Sequence, residues 1–379
     1  MQDPDPYGAD TLPEGIRSRM VDHINGLNMH ILEAGFEDGG EGGGRPCLLL
    51  LHGFPELAYS WRKVMVPLAA AGYHVVAPDQ RGYGRTTGQN SDYVGDYDGD
   101  LTPFRFLNLV RDGYCLIQAL GYDQVAGVIG HDFGSPIAAN CALIRPDVFR
   151  SVAMMSGPYG GPPPLTSGAG VDIHGALAGL ERPRKHYHHY YCSRPANGHM
   201  TAPPQGIHDF LRAYYHHKSA DWAGNEPFPL AAWTADELAQ LPTYYIMDHG
   251  ETMPQTVAHE MPNATEIAAC AWLPDNELAV YAGEYGRNGF QGGLNWYRSR
   301  THPSLNDDLA LFAGRSIDVP SCFIAGASDW GIHQAPGTLK KMQTTACSNF
   351  RALHLLDGAG HWVQQEQPEA VVNCLLAFL

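Results

Sequence analysis

The fold of this chain is decided by residues 125–134, Val-Ala-Gly-Val-Ile-Gly-His-Asp-Phe-Gly, and by the helical pattern that follows them. The apolar run 125–129 predicts a buried strand, and residues 137–144 predict a helix. Between the two, Asp132 stands two positions from a glycine on either side, a pattern typical of the sharp turn that exposes a nucleophile. An aspartate with a reference pKa of about 3.9 is ionised at neutral pH and attacks carbon without a base. An incidental helix N-cap is the competing interpretation.

Short apolar runs along the rest of the chain predict further strands, separated by helical patterns. The predicted strands are 47–51, 73–77, 125–129, 152–155, 321–325 and 352–356, and the predicted helices are 67–71, 107–120, 137–144 and 370–379. Residues 19–33, with Asn25-Gly26 at their centre, predict a hairpin. The Gly-rich stretch 37–44 predicts a loop. Strands that are apolar throughout are buried on both faces, so we predict an α/β fold with a mostly parallel sheet flanked by helices.

The alternation of strands and helices stops in the middle of the chain, where Tyr, His and Trp are dense. Residues 207–217 and 277–285 in this interval predict helices. An insertion at the loop end of a parallel sheet is the place for a lid over a site. We therefore predict a core formed by residues 1–158 and 301–379, with a mainly helical cap at 159–300.

Two further side chains complete a candidate catalytic triad. Asp329 follows the predicted strand 321–325, and His361 follows the last one. Nucleophile, acid and base in that chain order, each after a strand, are the arrangement of the α/β-hydrolase fold. Residues 51–56, Leu-His-Gly-Phe-Pro-Glu, predict an oxyanion hole formed by the backbone N–H groups of Phe54 and Phe133, and a cis peptide between Phe54 and Pro55.

Composition excludes several classes of function. The net charge of −16 argues against nucleic acid and anionic membranes as partners, and no apolar run is long enough to span a bilayer. The N-terminal residues 1–6 lack the features of a signal peptide. Eight scattered cysteines without a Cys-x-x-Cys motif indicate a cytoplasmic protein with free thiols. The clustered cap histidines (186, 188, 189, 216 and 217) have no zinc-ligand spacing, so we expect no metal and no cofactor.

These residues together resemble the epoxide hydrolase branch of the α/β-hydrolase superfamily. The motifs that carry the resemblance are residues 52–56, 79–84, 130–134, 289–298 and 360–362. The resemblance implies that Tyr297 and a second cap tyrosine hold the epoxide oxygen. Tyr187 matches the second position, with Tyr190 and Tyr191 as alternatives. Position 133, directly after Asp132, holds Phe where many relatives have Trp. This difference bears on which substrates are accepted, not on the reaction.

The resemblance implies addition of water to an epoxide through an ester on Asp132, giving a vicinal diol. We expect a small apolar or aromatic epoxide and water as the partners of the site. A haloalkane or haloacid dehalogenase with the same triad is the alternative, although it needs a halide cradle rather than paired phenols. A non-enzymatic small-molecule receptor on the same fold is a second alternative. The sequence assigns no role to Glu56 or His131, and it is compatible with a homo-oligomer without indicating one.

Overall fold

The computed structural model of the protein describes residues 7–8, 10–36, 44–88, 96–165 and 171–379. The N-terminal residues 1–6 and all of the predicted Gly-rich loop except Gly44 therefore lie outside the described residues.

The main sheet has nine strands. The motifs that contain the candidate site residues lie at or after the ends of its parallel strands. The strand order is β1-β2-β4-β3-β6-β7-β10-β11, with β5 paired to β2. The pairs formed by β2 are antiparallel, and those from β4 to β11 are parallel. The bounds are β1 Ile16–Ile24, β2 Leu27–Ala34, β3 Cys47–Leu51, β4 His74–Pro78, β5 Thr87–Gly88, β6 Gly127–His131, β7 Val152–Met155, β8 Arg184–His186, β9 Ile246–Asp248, β10 Ser321–Gly326 and β11 Phe350–Leu356.

Helices cover the sheet and fill the interval between β7 and β10. The pair α1 and α15 packs together against the sheet, as does the pair α2 and α3. The bounds are α1 Arg62–Ala70, α2 Phe106–Ala119, α3 Gly134–Ile144, α4 Ile173–Ala178, α5 Tyr187–Tyr191, α6 Ala196–Thr201, α7 Ile207–Lys218, α8 Ala235–Leu238, α9 Met253–Ala258, α10 Ala264–Ala269, α11 Asp275–Asn288, α12 Gln291–Thr301, α13 Thr338–Lys341, α14 Val363–Glu366 and α15 Pro368–Phe378. Among the described residues, the model contains no helix with the length and apolarity needed to cross a membrane.

The predicted α/β architecture is confirmed, and the strands are buried as their composition requires. Every residue of β3, β4, β6 and β7 is buried, since helices cover both faces of a parallel sheet. The predicted hairpin is also present. Asn25 and Gly26 join β1 to β2 with φ of 50° and 81°, the left-handed conformations that a two-residue hairpin turn requires.

Several predicted boundaries are wrong by one to five residues, and two of them show the physical reason. The strand predicted at 125–129 is β6, Gly127–His131, because Gly130 pairs with Leu51 and His131 with Met155. Neighbouring strands thus extend it beyond its apolar run. The helix predicted at 67–71 is α1 and begins at Arg62, whose buried guanidinium donates to Glu277 and Gln365. These contacts with distant residues, rather than local propensity, hold its first turn.

The segment between β7 and β10 contacts core loops that follow β3 and β4. Its described residues contain helices α4 to α12 and one small antiparallel sheet of β8 and β9, and they add no strand to the main sheet. The Trp296 indole of α12 donates to the Arg81 carbonyl in the loop after β4, at 2.8 Å. The limits 159–300 for a cap domain remain a prediction.

Candidate active site

Asp132 lies on a strained turn between β6 and α3. Its φ is +51°, a left-handed conformation that costs a non-glycine residue roughly 1–3 kcal/mol and is concentrated at functional sites. The flanking glycines are required for close approach. A Cβ on Gly130 would collide with the Gly134 carbonyl, and a Cβ on Gly134 would collide with the Leu51 and His52 carbonyls. The turn therefore presents the Asp132 carboxylate to a cleft.

Both oxygens of the Asp132 carboxylate have a partner. The Phe54 N–H donates to Oδ1 at 2.9 Å, and the His361 Nε2 lies 3.2 Å from Oδ2. Burial opposes ionisation here, but the hydrogen bond and charge of His361, with the charge of Lys218, hold the pKa of Asp132 well below its usual range. The group is thus a carboxylate at neutral pH and needs no base before it attacks carbon.

The loop that supplies the Phe54 N–H is tightly packed against this carboxylate. The Phe54–Pro55 peptide is cis, as predicted. Gly53 precedes it, and a Cβ there would overlap the Asp132 carboxylate. Phe133 directly follows Asp132 as the N-cap of α3, and its ring stacks on Phe106 at 5.9 Å between centroids. Its N–H as the second donor of an oxyanion hole remains a prediction.

His361 and Asp329 meet below the cleft, although they follow different strands. The His361 Nδ1 lies 3.1 and 3.2 Å from the two Asp329 oxygens, and both residues are buried. Burial again opposes ionisation, but the charge and hydrogen bond of His361 and the Gly331 N–H lower the pKa of Asp329. A carboxylate at Nδ1 fixes that nitrogen as the N–H, leaving Nε2 able to accept a proton. The three predicted triad residues are therefore together, in the predicted chain order.

Two tyrosines from the segment between β7 and β10 face the same cavity as Asp132. Tyr187 begins α5 and Tyr297 lies in α12; their ring centroids are 5.9 Å apart. The alternatives point elsewhere, since the Tyr190 hydroxyl contacts His199 and the Tyr191 hydroxyl donates to Tyr214. Of the three candidate tyrosines, Tyr187 is therefore the one that lines the described cavity together with Tyr297.

Close backbone contact positions Tyr297. A Cβ on Gly292 of α12 would collide with the Gly82 carbonyl, and a Cβ on Gly293 would meet the Phe54 ring. Helix α12 can therefore lie directly on the core loops that follow β3 and β4. Burial, reinforced by the negative charge of Asp132, raises the pKa of Tyr187 and of Tyr297 well above 10. Both phenols keep their protons at neutral pH.

The cavity has a volume of about 480 Å³, within the range of pockets that hold small organic molecules. Aromatic and aliphatic side chains form much of its wall, namely Phe106, Phe133, Tyr159, Trp233 and Leu309. His186 and His188 also line it, and burial lowers the pKa of both, to about 3 for His186. The described part of the chain contains no group of three or more His, Cys, Asp or Glu residues arranged to hold a metal ion.

The sequence left Glu56 and His131 without a role, and the structure joins them beneath the triad. The His131 Nδ1 lies 2.6 Å from Glu56 Oε2, and its Nε2 lies 2.7 Å from the His361 carbonyl. Because both acceptors lack a proton, both ring nitrogens carry one. Burial opposes this charge, but Glu56 outweighs it and raises the pKa of His131. The pair fixes the backbone of His361.

Glu366 is a half-buried carboxylate near the triad that sequence patterns did not indicate. Its Oε2 accepts the N–H groups of Ala220 and Gly360 at 2.8 and 2.9 Å, and its Oε1 accepts that of Trp362 at 2.9 Å. Burial raises the pKa of Glu366 to about 7, although these three N–H groups oppose the shift. The side chain connects both neighbours of His361 to the segment that follows α7.

The fold and these side chains define the class of protein: an α/β hydrolase whose elbow carries a carboxylate instead of a hydroxyl. Residues 46–172 match the family described as the alpha/beta hydrolase fold. Epoxide hydrolase A of Mycobacterium tuberculosis is 32% identical over 95% of this chain and 96% of its own length. The epoxide hydrolase of Caballeronia sordidicola is 30% identical over 94% and 91%. The chain belongs to the epoxide hydrolase branch of the α/β-hydrolase superfamily.

Solved structures agree with this assignment. An epoxide hydrolase from an endophytic Streptomyces superposes with a TM-score of 0.75 and 31% identity, over 97% of this chain and 96% of that one. Potato epoxide hydrolase I superposes with a TM-score of 0.70 and 30% identity, over 96% and 98%. The family resemblance carried by the sequence motifs is thereby confirmed.

Proposed function

We propose that the protein is an enzyme that adds water to an epoxide and releases a vicinal diol through an ester on Asp132. The observation that carries the proposal is one cavity lined by an ionised carboxylate and two protonated phenols, Tyr187 and Tyr297. An epoxide needs a nucleophile at carbon and an acid at oxygen, because an alkoxide is a poor leaving group. Related epoxide hydrolases of similar length support the same reaction.

The first step opens the ring. An oxygen of Asp132 bonds to one epoxide carbon while the bond from that carbon to the epoxide oxygen breaks. The oxygen takes a proton from Tyr187 or Tyr297, leaving a phenolate. The enzyme then holds the substrate as a hydroxyalkyl ester of Asp132. Two donors stabilise the developing alkoxide better than one, since each supplies a hydrogen bond to charge.

The second step hydrolyses the ester. His361 takes a proton from water as the water oxygen bonds to the Asp132 carbonyl carbon, and Asp329 stabilises the imidazolium. The tetrahedral oxyanion receives hydrogen bonds from the N–H groups of Phe54 and Phe133, each worth about 3 kcal/mol or more. As the ester bond breaks, the imidazolium returns its proton to the diol oxygen. The proton of the regenerated Asp132 acid restores the tyrosine, so no cofactor is consumed.

The cavity supports a small apolar or aromatic epoxide as substrate. Its wall is largely aromatic, and its volume suits a molecule of one or two rings. Apart from Asp132, the charged side chain along the described wall is that of Arg300, one turn beyond Tyr297 on α12. The wall therefore accommodates apolar substituents near the reacting carbon.

The dehalogenase alternative fits this cavity less well. A halide cradle needs indole N–H groups that point at the leaving group. Trp296 and Trp362 lie beside Phe133 and His361, but their N–H groups donate to the carbonyls of Arg81 and Tyr215. A receptor without activity would not require an ionised carboxylate on a strained turn beside an imidazole.

The proposal extends to domain limits and location. The cap at 159–300, between the two parts of the core, would close the cavity over the substrate. The eight cysteines are all free, which supports a reducing compartment such as the cytoplasm.

A single turnover in H₂¹⁸O, with enzyme in excess over a styrene-type epoxide, tests the chemistry. The first diol released should carry only ¹⁶O, taken from Asp132, and the label should appear in the peptide that contains Asp132. A first-turnover diol labelled with ¹⁸O would mean that water attacks the epoxide directly. Release of chloride or bromide from haloalkanes, with no diol from any epoxide tested, would overturn the assignment of the activity itself.

A further inference from the structure

Gln334 is a half-buried polar side chain on the wall of the cavity that the two phenols share. It follows the short helical turn Trp330–Ile332 in the loop after β10, the loop that also carries Asp329. Its backbone N–H donates to the Trp330 carbonyl at 3.1 Å, and Asp329 Oδ1 accepts the Gly331 N–H at 2.7 Å. The loop that holds the acid of the triad therefore also fixes the position of Gln334.

The side-chain amide of Gln334 is hydrogen-bonded to one of the two phenols. The Tyr187 hydroxyl donates to Gln334 Oε1 at 3.3 Å, a long distance for an O–H···O bond, which is usually about 2.7–2.8 Å. Within the residues that the structure describes, the Gln334 Nε2 and the Tyr297 hydroxyl have no hydrogen-bond partner. The two ends of an amide occupy nearly the same space. The amide can thus turn over and direct its N–H at the Tyr187 oxygen without breaking another hydrogen bond.

Ring opening moves one negative charge from Asp132 to a phenol. As the Asp132 oxygen bonds to carbon, the carbon–oxygen bond of the epoxide breaks, and the freed oxygen takes the phenol proton. A neutral ester and a phenolate then replace a carboxylate and a phenol. The phenolate only accepts hydrogen bonds, and a donor beside it stabilises its charge. The phenol that has such a neighbour is the better proton donor.

Tyr187 has neighbours of this kind. Besides the Gln334 amide, the charge of Arg300 on the same wall opposes the rise in the pKa of Tyr187 that burial and Asp132 cause. For Tyr297, Asp132 and three neighbouring tyrosines add to the rise that burial causes. The negative charge of Asp132 disappears when the ester forms. Gln334 and Arg300 then act on the Tyr187 oxygen without its opposition.

We propose that Gln334 is a positioning residue that makes Tyr187 the proton donor of ring opening. Its amide oxygen accepts the phenol proton before the substrate binds. After the amide has turned, its N–H donates to the phenolate, while Tyr297 gives the epoxide oxygen a hydrogen bond and keeps its own proton. The proposal rests on the proposed function, because it concerns the step that forms the ester.

The test is a double-variant cycle that combines Gln334→Leu with each tyrosine variant, read by single turnover with chemical quench. Gln334→Leu should slow ring opening about 10- to 10²-fold, which is the value of a hydrogen bond to a charged group, and should leave ester hydrolysis at the wild-type rate. In a Tyr187→Phe background the same substitution should cause no further loss, whereas in a Tyr297→Phe background it should cause the full loss. Gln334→Glu should slow ring opening at least as much at pH 8, because a carboxylate cannot donate and its charge opposes the phenolate.

Gln205→Leu is the matched control, because Gln205 is also half-buried but donates to the Pro254 carbonyl at 2.9 Å and lies outside the cavity wall. It should keep the wild-type rates of both steps.

Ring opening at the wild-type rate in Gln334→Leu or Gln334→Glu overturns the proposal. So does an equal loss in the Tyr187→Phe background, or a loss shared by ester hydrolysis, which a disturbed Asp329 loop would produce. If Gln334→Leu does not fold, Gln334→Glu in the two tyrosine backgrounds decides by the same comparison. Failure of the wild-type enzyme to form the ester is a different result and refutes the proposed function instead.

Discussion

Removal of the Tyr297 hydroxyl should slow ring opening without disturbing the fold. The ring is held by edge contacts with Phe54, Phe133 and Tyr191 at centroid distances of 5.5, 5.1 and 5.0 Å. Within the part of the chain that the structure describes, its hydroxyl has no hydrogen-bond partner. Tyr297→Phe therefore leaves no buried group unsatisfied, and such a change is nearly neutral for stability.

The expected kinetic effect is large. A general acid contributes about 10²- to 10⁴-fold, which corresponds to roughly 3–5 kcal/mol of activation free energy. Tyr187→Phe should cause a similar loss, because its hydroxyl reaches the same cavity and donates to Gln334 at 3.3 Å. The double variant should be nearly inactive, since it lacks both phenols that are proposed to donate to the epoxide oxygen.

The assay is a single turnover with chemical quench, which separates ester formation from ester hydrolysis. Tyr191→Phe is the matched control, because that hydroxyl donates to Tyr214 and lies away from the cavity. It should lose stability rather than ring-opening rate. A Tyr297→Phe enzyme that forms the ester at the wild-type rate, or that loses rate only in ester hydrolysis, would refute the role given to the phenols.

Three further predictions concern the carboxylates and the phenols. Burial raises the pKa of Glu366 from 4.5 to about 7, so the folded protein binds that proton more tightly than the unfolded chain and loses stability as pH rises from 4.5 to 7. The unfolding free energy of Glu366→Gln, relative to that of the wild type, should therefore increase over this pH range by up to about 3 kcal/mol. Denaturant unfolding of both proteins at pH 4.5 and 7.5 measures it. The same difference between the two proteins at both pH values would contradict a raised pKa of Glu366. Gly53→Ala would place a Cβ in the space of the Asp132 carboxylate and should slow ester formation about 10²-fold. Its circular dichroism spectrum should remain native. Ester formation at the wild-type rate would show that the loop adapts to the added methyl group. Because the pKa values of Tyr187 and Tyr297 are raised well above 10, ring opening measured by single turnover should stay constant from pH 7 to 10, and a decline centred below pH 10 would contradict this.

The sequence predicted the residues whose position depends on local geometry. Asp132, Asp329 and His361 each follow a strand, and the carboxyl ends of parallel strands share one edge of the sheet, so chain order alone brings them together. The hairpin around Asn25-Gly26 is local in the same sense. The strand β6 was displaced by two residues because its end is fixed by pairing with β3 and β7 rather than by its own composition.

Contacts between residues far apart in the chain could not be predicted from the sequence. His131 and Glu56 are 75 residues apart, and their pairing depends on β3 lying beside β6. Glu366 and Ala220 are 146 residues apart, and their pairing depends on how the segment between β7 and β10 packs against the core. The second tyrosine stayed open because Tyr187, Tyr190 and Tyr191 share one short helix. Which of them faces the cavity depends on the rotation of α5, and packing against distant elements such as α12 and β8 fixes that rotation.

The central claim is a covalent ester on Asp132 that His361 hydrolyses, and intact-mass analysis of His361→Gln measures it directly. After exposure to an epoxide that the wild type converts, the variant should accumulate one adduct with the mass of one substrate, mapped by peptide sequencing to Asp132. Asp132→Ala, treated in the same way, should show none. A His361→Gln enzyme without an adduct although it still opens the ring, or an adduct on another residue, would contradict the account.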